Sequence, residues 1–449
     1  MKHINYLFLM LSFIVLATSC KKNDPKDIEL ASLSVKTAFD ADNATYGFDM
    51  SQLKVTATNL VTNQTYTGKT ETDGTVNFSS LSPGDYNIAA TLTIKASDYN
   101  AKAGTNVEDD VVFNGSISRQ NVQQAASAAI TLKAGRIGDF VIKQVYYAGS
   151  DIKDGALFRD QFIEIYNNSN ETLYADSLYF GQVENVSAVA TRIDFTKGYY
   201  QANGSWDWTK AVDMNNDKAN TDYIYSKSLF MIPGTGKQYP VEPGKSIIIA
   251  ANALNHKAPY TDATGKTIGV NKPELTVDLS AADFEVYLGN QDGINPLASD
   301  IDNPAVPNVV VINRGGNRDL VIDNLGRDGI MIFKTAADVK NLPRYATPDK
   351  TVVTATSTLS TQIPISYIID GVGLQHAVAA SRVPKQLPDL LDGGEIFVTG
   401  GSYSSQSVVR KTRRVVNGRI VLQDTNNSTN DFGVLIKADP SKSATSFIN

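Results

Sequence analysis

The chain has 449 residues, with 41 Lys and Arg against 47 Asp and Glu for a formal charge of −6, and a single cysteine, Cys20. A mildly acidic chain has no bulk electrostatic reason to hold nucleic acid. One thiol excludes a disulfide framework, so stability has to come from packing.

The chain opens with a charged start at Lys2, an apolar run from Tyr6 to Leu16, and small residues Ala17, Thr18 and Ser19 before Cys20. That run is about half the ~20 residues a membrane-spanning helix needs. Residues 1–19 therefore read as a secretory signal peptide. The stretch Leu16-Ala17-Thr18-Ser19-Cys20 resembles a bacterial lipobox, whose cysteine becomes the lipidated first residue of the mature chain. One acyl chain, at ~0.8 kcal/mol per buried methylene, holds only marginally, whereas the several chains of a bacterial lipoprotein anchor durably. Cleavage removes Lys2 and leaves 40 basic against 47 acidic residues, a charge of −7. No later stretch is apolar and long enough to span a bilayer, so the expected membrane contact is the lipid. Residues 20–29 are polar, contain Pro25, and read as a tether.

From residue 30 to 134 short alternating segments are split by turn chemistry. Leu53 to Ala57 alternates with the two-residue period of a half-buried strand. Val61 to Thr65 suits a hairpin turn, and Asp73-Gly74 is a tight-turn signal. Val76 and Phe78 lead to a second turn at Ser82-Pro83-Gly84-Asp85, after which Tyr86, Ile88 and Ala90 begin another strand. The run TDGTVNFSSLSPGDYNI, Thr72 to Ile88, resembles the carboxypeptidase-regulatory, transthyretin-like β-sandwich. The resemblance implies a structural or adaptor module with Tyr86 in its core, and no catalysis.

A second unit spans residues 135–449. Asp139 to Tyr147 reads as a strand, followed by Phe162 to Asn168 and Leu173 to Phe180. The order VIKQVYY, FIEIYNN, LYADSLYF resembles the lamin-tail, immunoglobulin-type sandwich. A Pro-Gly turn and apolar strand at Val241 to Ile249, core strands at Gly329 to Phe333 and Ser366 to Asp370, and the terminal segments Ser407 to Arg410 and Asp424 to Phe432 extend the likeness. Residues 182–238 and 252–324 far exceed the family's loops and read as inserts. The expected fold class is mostly β, with two tandem β-sandwiches after a lipoprotein signal peptide. Together the two layers resemble a family of Bacteroidota lipoproteins of unknown function found near outer-membrane barrel receptors. In the outer-membrane lipoproteins of that phylum, acidic residues soon after the cysteine favour display on the cell surface rather than the periplasmic face. Here Asp24, Asp27 and Glu29 are interleaved with Lys21, Lys22 and Lys26.

Catalytic motifs are missing. His256 and His376 have no neighbour at zinc-ligand spacing, and no G-x-S-x-G elbow is present. Gly244-Lys245-Ser246 precedes a strand rather than a phosphate-binding helix and reads as a turn. Gly371-Val372-Gly373 lacks its third glycine and also reads as a turn. Acid-rich loops offer a structural calcium candidate at Asp292, Asp300 and Asp302, and Asn215-Asn216-Asp217 leads on to Asp222, though without the spacing of an EF-hand. Arg410, Lys411, Arg413 and Arg414 read as one solvated edge strand.

The insert segment Gly198 to Trp208 holds both tryptophans. Tyr199, Tyr200, Trp206 and Trp208 set among Asn, Gly and Ser suit either a recognition surface for glycan or protein, or a plug that gives the insert its own core. The expected function is that of a lipid-anchored outer-membrane accessory or binding protein without catalytic groups or cofactor, docking on an outer-membrane β-barrel. A carbohydrate-binding module using the four aromatics is the alternative, and a hydrolase split across the inserts a distant third.

Overall fold

The computed structural model describes residues 29–449 except 42, 52, 105–109, 135–139, 290, 292, 294, 296 and 417. The expected signal peptide, the expected lipidation site Cys20 and the calcium candidate Asp292 thus lie outside the described residues. Among the described residues no helix is long and apolar enough to cross a membrane, which says nothing of β-barrels.

Seven strands lie between residues 31 and 134: β1 Ala31–Phe39, β2 Lys54–Asn59, β3 Thr65–Lys69, β4 Thr75–Leu81, β5 Gly84–Ile94, β6 Val111–Val122 and β7 Ala125–Ala134. Their order is β3-β2-β5-β6-β7-β1-β4. Strand β7 runs parallel to β1 from Ala125 to Leu132 and pairs in register with β6 at its far end, through Phe113↔Ala134 and Asn114↔Lys133. The sheet therefore folds over at that point and closes on a core that includes Leu33, Val55, Ile88, Phe113 and Leu132. Each such side chain contributes roughly 1.5–3 kcal/mol by leaving water. The turn signals act as read: Gly74 sits at φ +79°, and the buried Tyr86 donates its hydroxyl to the Ser82 carbonyl at 2.7 Å.

The later strands form two further sheets of six and seven strands. They are β8 Phe140–Tyr146, β9 Phe162–Asn167, β10 Tyr179–Val183, β11 Tyr223–Met231, β12 Ser246–Ala250, β13 Phe284–Glu285, β14 Val310–Asn313, β15 Gly329–Phe333, β16 Arg344–Tyr345, β17 Ser360–Pro364, β18 Ile368–Gly373 and β19 Ser407–Arg410, with a hairpin β20 Thr412–Val416 and β21 Arg419–Leu422, then β22 Phe432–Leu435. One sheet runs β13-β12-β9-β8-β19-β22; the other runs β16-β17-β11-β10-β15-β18, with β14 also on β11. Their facing sides meet in one core containing Ile142, Ile165, Phe180, Phe230, Ile249 and Ile332. The fold is mostly β, as the alternation requires.

Strands β8, β9 and β12 are buried along their whole length. Both faces are covered, which is why they read as nearly unbroken apolar runs. The outer cover comes from the C-terminus and from β21: Phe447 packs edge-on to Tyr166, and Leu422 packs with Val141 and Tyr166. Polar residues in those runs are therefore paired. Lys143 donates to Glu164 Oε1 at 2.9 Å and to Ser446 Oγ at 2.8 Å, and its ammonium sits 3.7 Å from the Phe447 ring centre.

Three expectations need correcting. Residues 182–238 are not all insert, because β11 is a nine-residue strand bonded to β10, β14 and β17. Residues 252–324 likewise supply β13 and β14 and add Val277, Leu279 and Ile322 to the main core. Gly371-Val372-Gly373 is strand, not turn: Gly371 pairs with Met331, and a Cβ there would meet Leu387 at 2.9 Å.

Candidate functional site

A cleft of about 280 Å³ lies where strand β6 of the first sandwich approaches the second. Its walls come from the end of β10 (Glu184, Asn185), the aromatic insert (Gln201, Trp206), and the segment Lys385 to Asp389, with Ser116 of β6 on the remaining side. Hydrogen bonds seal the two sandwiches around it. Ser116 N–H donates to Asp389 Oδ2 at 3.0 Å, Arg119 Nη2 to the Ala190 carbonyl at 2.7 Å, and Asn114 Nδ2 to the Thr425 carbonyl.

The insert forms this wall by local chemistry. Tyr200 and Trp206 form an isolated antiparallel bridge, closed by Gln201 N–H to the Ser205 carbonyl at 2.8 Å, with Gly204 at φ +88° in the turn. Asn203 Oδ1 accepts from Ser205 N–H at 3.0 Å, and Asp207 caps the following turn by accepting from Thr209 N–H. Tyr200 stacks on Trp206 at 5.2 Å and 16°, with Tyr199 tilted against Trp206 at 5.9 Å.

The four aromatics do not form one open platform. Trp208 is 6% exposed and lies flat on Tyr225 at 3.6 Å, in a small core with Ala211 and Ala219. It plugs the insert onto β11, because a loop of this length has to bury something of its own. Trp206 is the half-buried ring at the cleft wall, backed by the two tyrosines. Amides fill much of the remaining lining: Asn185, Gln201, Asn203, Asn220 and Gln386. Such groups offer both donors and acceptors.

Two cleft carboxylates differ in electrostatics. Burial raises the Glu184 carboxyl, although Lys227 and the Ser360 hydroxyl oppose the rise. Burial acts the same way on Asp389, but the Lys385 ammonium and Ser116 outweigh it and hold that carboxyl below the ordinary range. Lys385 and Asp389 form an i,i+4 ion pair.

Elsewhere the charged side chains named from sequence are structural. Arg410 is 1% exposed, not on a solvated edge; its guanidinium meets Asp370 at 2.5 Å, Asp424 at 3.2 Å and Asp431 at 3.6 Å. Its strand β19 lies between β8 and β22, so its inward side chain has to be paired. Within the basic run it is Arg414, in hairpin β20–β21, that is exposed. His256 is fully buried, and burial lowers its imidazole to about 4. His376 accepts Val378 N–H on Nδ1 at 2.9 Å in a loop.

Among the described residues no group of three or more His, Cys, Asp or Glu is placed to hold a metal. Asp300 points both oxygens at Leu288 N–H, at 3.1 and 3.3 Å, and burial raises it to about 7. Asp302 accepts from Asn308 Nδ2 at 2.7 Å. Asp292 lies outside the described residues.

Of the cleft, the sequence pointed to Trp206 and its neighbours. The residues 183–186 and 385–389 carried no signal, since neither run has a motif and only folding brings them together.

The architecture is thus a mostly-β, multi-sheet chain with a polar and aromatic cleft between its sandwiches. Residues 242–440 match the model of a family described as a protein of unknown function (DUF4876). In fold the chain is similar to a DUF4876 family protein from Bacteroides thetaiotaomicron, at 23% identity and TM-score 0.52, covering 90% of this chain and 94% of that one. A DUF3823 family protein from Bacteroides uniformis is a far weaker likeness, at 9% identity and TM-score 0.16, over 75% of this chain and 99% of that one. No curated protein matches the chain.

Proposed function

We propose that the chain is a lipid-anchored outer-membrane protein, displayed on the cell surface, that binds rather than catalyses and serves as an accessory subunit to an outer-membrane β-barrel. The observation that carries the reading is how the cleft is lined: amides and an aromatic ring, with Asp389 tied to Lys385 and Ser116. Glu184, the other cleft carboxylate, is also tied, accepting from the Ser360 hydroxyl at 3.0 Å, whereas hydrolysis of the glycosidic type needs two free carboxyls with divided roles. The resemblances of the first unit to transthyretin-like adaptors and of the second to lamin-tail sandwiches agree with a docking role. Acyl chains on Cys20 would confine the protein near a partner and raise its effective concentration, so a modest interface suffices. The test is a pull-down of the solubilised chain with its anchor intact, followed by mass spectrometry. A barrel protein should co-elute; elution of the chain alone removes the reading. A Cys20→Ala chain should leave the membrane fraction, and its retention there would count equally against the anchor.

A second reading is favoured by the stacked Tyr200–Trp206 pair at the cleft wall. Aromatic faces beside amide donors and acceptors suit the C–H faces and hydroxyls of a sugar. Glycan-array binding should be present in the wild type and lost in Trp206→Ala. An array blank for the wild type rejects this reading and leaves the first untouched.

A further inference from the structure

A second pocket lies away from the cleft, at the other insert. It has a volume of about 370 Å³, within the usual size range of small-molecule sites. Its walls are largely apolar, with Leu157, Ile268, Val270 and Leu297 beside the Tyr260 ring. Set into them is one guanidinium, Arg159, whose side chain is 22% exposed. Arg159 Nη1 donates to Asp319 Oδ2 at 2.5 Å, and that oxygen also accepts from Ser299 Oγ at 2.8 Å. The Phe158 ring supports the guanidinium from 4.5 Å. Among the described residues Nε and Nη2 of Arg159 have no acceptor, so part of a rigid donor fork remains unused.

The mouth of the pocket carries a further mark. Leu157 holds the left-handed conformation at φ +61°, a strained state for a side chain with a Cβ, and is 36% exposed. Its carbonyl accepts Ser150 N–H at 2.6 Å, and a Cβ on the facing Gly149 would meet that oxygen at 2.1 Å. The surrounding turn thus holds an apolar side chain half in water at the pocket's edge, a kind of strain that clusters at ligand sites. Asp262, the pocket's one carboxylate, uses Oδ1 on its own turn, accepting from Thr264 N–H at 2.9 Å, Lys266 N–H at 3.0 Å and the Thr264 hydroxyl at 2.6 Å.

We infer that this pocket binds a small monocarboxylate with an apolar tail, the carboxylate on the free donors of Arg159 and the tail against Leu157, Ile268 and Leu297. An apolar pocket excludes water from the ion pair and so strengthens it. It also favours the acid over any equally shaped neutral molecule.

The test is calorimetric titration of the full acylated chain in nanodiscs, with empty nanodiscs subtracted, using hexanoate and hexanamide as probes. Saturable binding of hexanoate is expected, with hexanamide at least tenfold weaker. Arg159→Gln should weaken hexanoate at least tenfold. Ile268→Asp, which leaves the Arg159–Asp319 pair intact, should do the same without changing the melting temperature. If Arg159→Gln fails to fold, Ile268→Asp decides. No saturable heat with hexanoate, equal affinity for acid and amide, or wild-type affinity in Ile268→Asp would each overturn the inference.

Discussion

The two tryptophans stand two positions apart in sequence and do different work. Trp208 has a full stacking partner in Tyr225 and almost no exposure, so Trp208→Ala should cost about 3–5 kcal/mol of stability, measured by denaturant unfolding. Trp206→Ala should cost far less and act on ligand binding instead. Composition marked the aromatic cluster as meaningful, but the division between plug and wall depends on where β11 lies, which spacing does not reveal. Lys143 is a sharper case. Nothing in VIKQVYY announces a buried ammonium, yet the side chain is fully buried against Glu164. Lys143→Met should cost about 3–5 kcal/mol by leaving the Glu164 charge unpaired, while the double variant Lys143→Met, Glu164→Leu should recover most of that loss. A double variant no more stable than the single would show that the pair is not the source.

At the scale of elements, the strands that alternate were readable and those buried on both faces were readable only as strands. β1 has Ala31, Leu33, Val35 and Thr37 inward in strict period two. In β8 and β9 the period vanishes because the C-terminal segment covers the outer face, a contact between residues some 280 positions apart such as Tyr166 and Phe447. For the same reason β11 does not stand out in the sequence: with most of both faces covered, it lacks the alternation that marks a half-buried strand. Turn glycines were the firmest local signal. Gly74→Ala should destabilise by about 1–2 kcal/mol, because φ +79° strains any Cβ and this one would meet the Thr37 carbonyl at 2.8 Å. Thermal unfolding checks it, and a neutral effect would mean that the turn readjusts.

At the scale of the whole molecule, burial of acids governs the response to pH. Burial raises Asp160, Glu285, Asp300 and Glu395 to about 7. Their unfolded values lie near ~4, so between roughly pH 4 and 7 the folded chain holds more protons, and their stabilisation is lost as pH rises through about 7. His256, lowered to about 4 from an ordinary value near ~6.5, acts in the opposite sense: its contribution is complete above the unfolded value and lost as pH falls through the folded one. These raised acids, joined by Asp370 at about 7 and Asp431 at about 6, outnumber the one histidine, so the melting temperature should fall from pH 5 to pH 8, and Asp160→Asn should flatten that fall. A melting temperature that climbs across this range would contradict the assignment of buried, raised acids.

The sequence by itself determined what is local: the lipobox expectation at Cys20, the turns at Gly74 and Gly244, the alternating strands, and hence a mostly-β chain. These follow from steric preference and from the two-residue period of a pleated strand, which operate over a few residues. Only the tertiary structure decided that Arg410 is buried among three carboxylates, that Trp208 is core while Trp206 lines a cleft, and that Ser116 and Asp389, 273 positions apart, close that cleft. Burial sets the value of a charge or a ring, and burial is fixed by long-range packing that no short stretch of sequence contains.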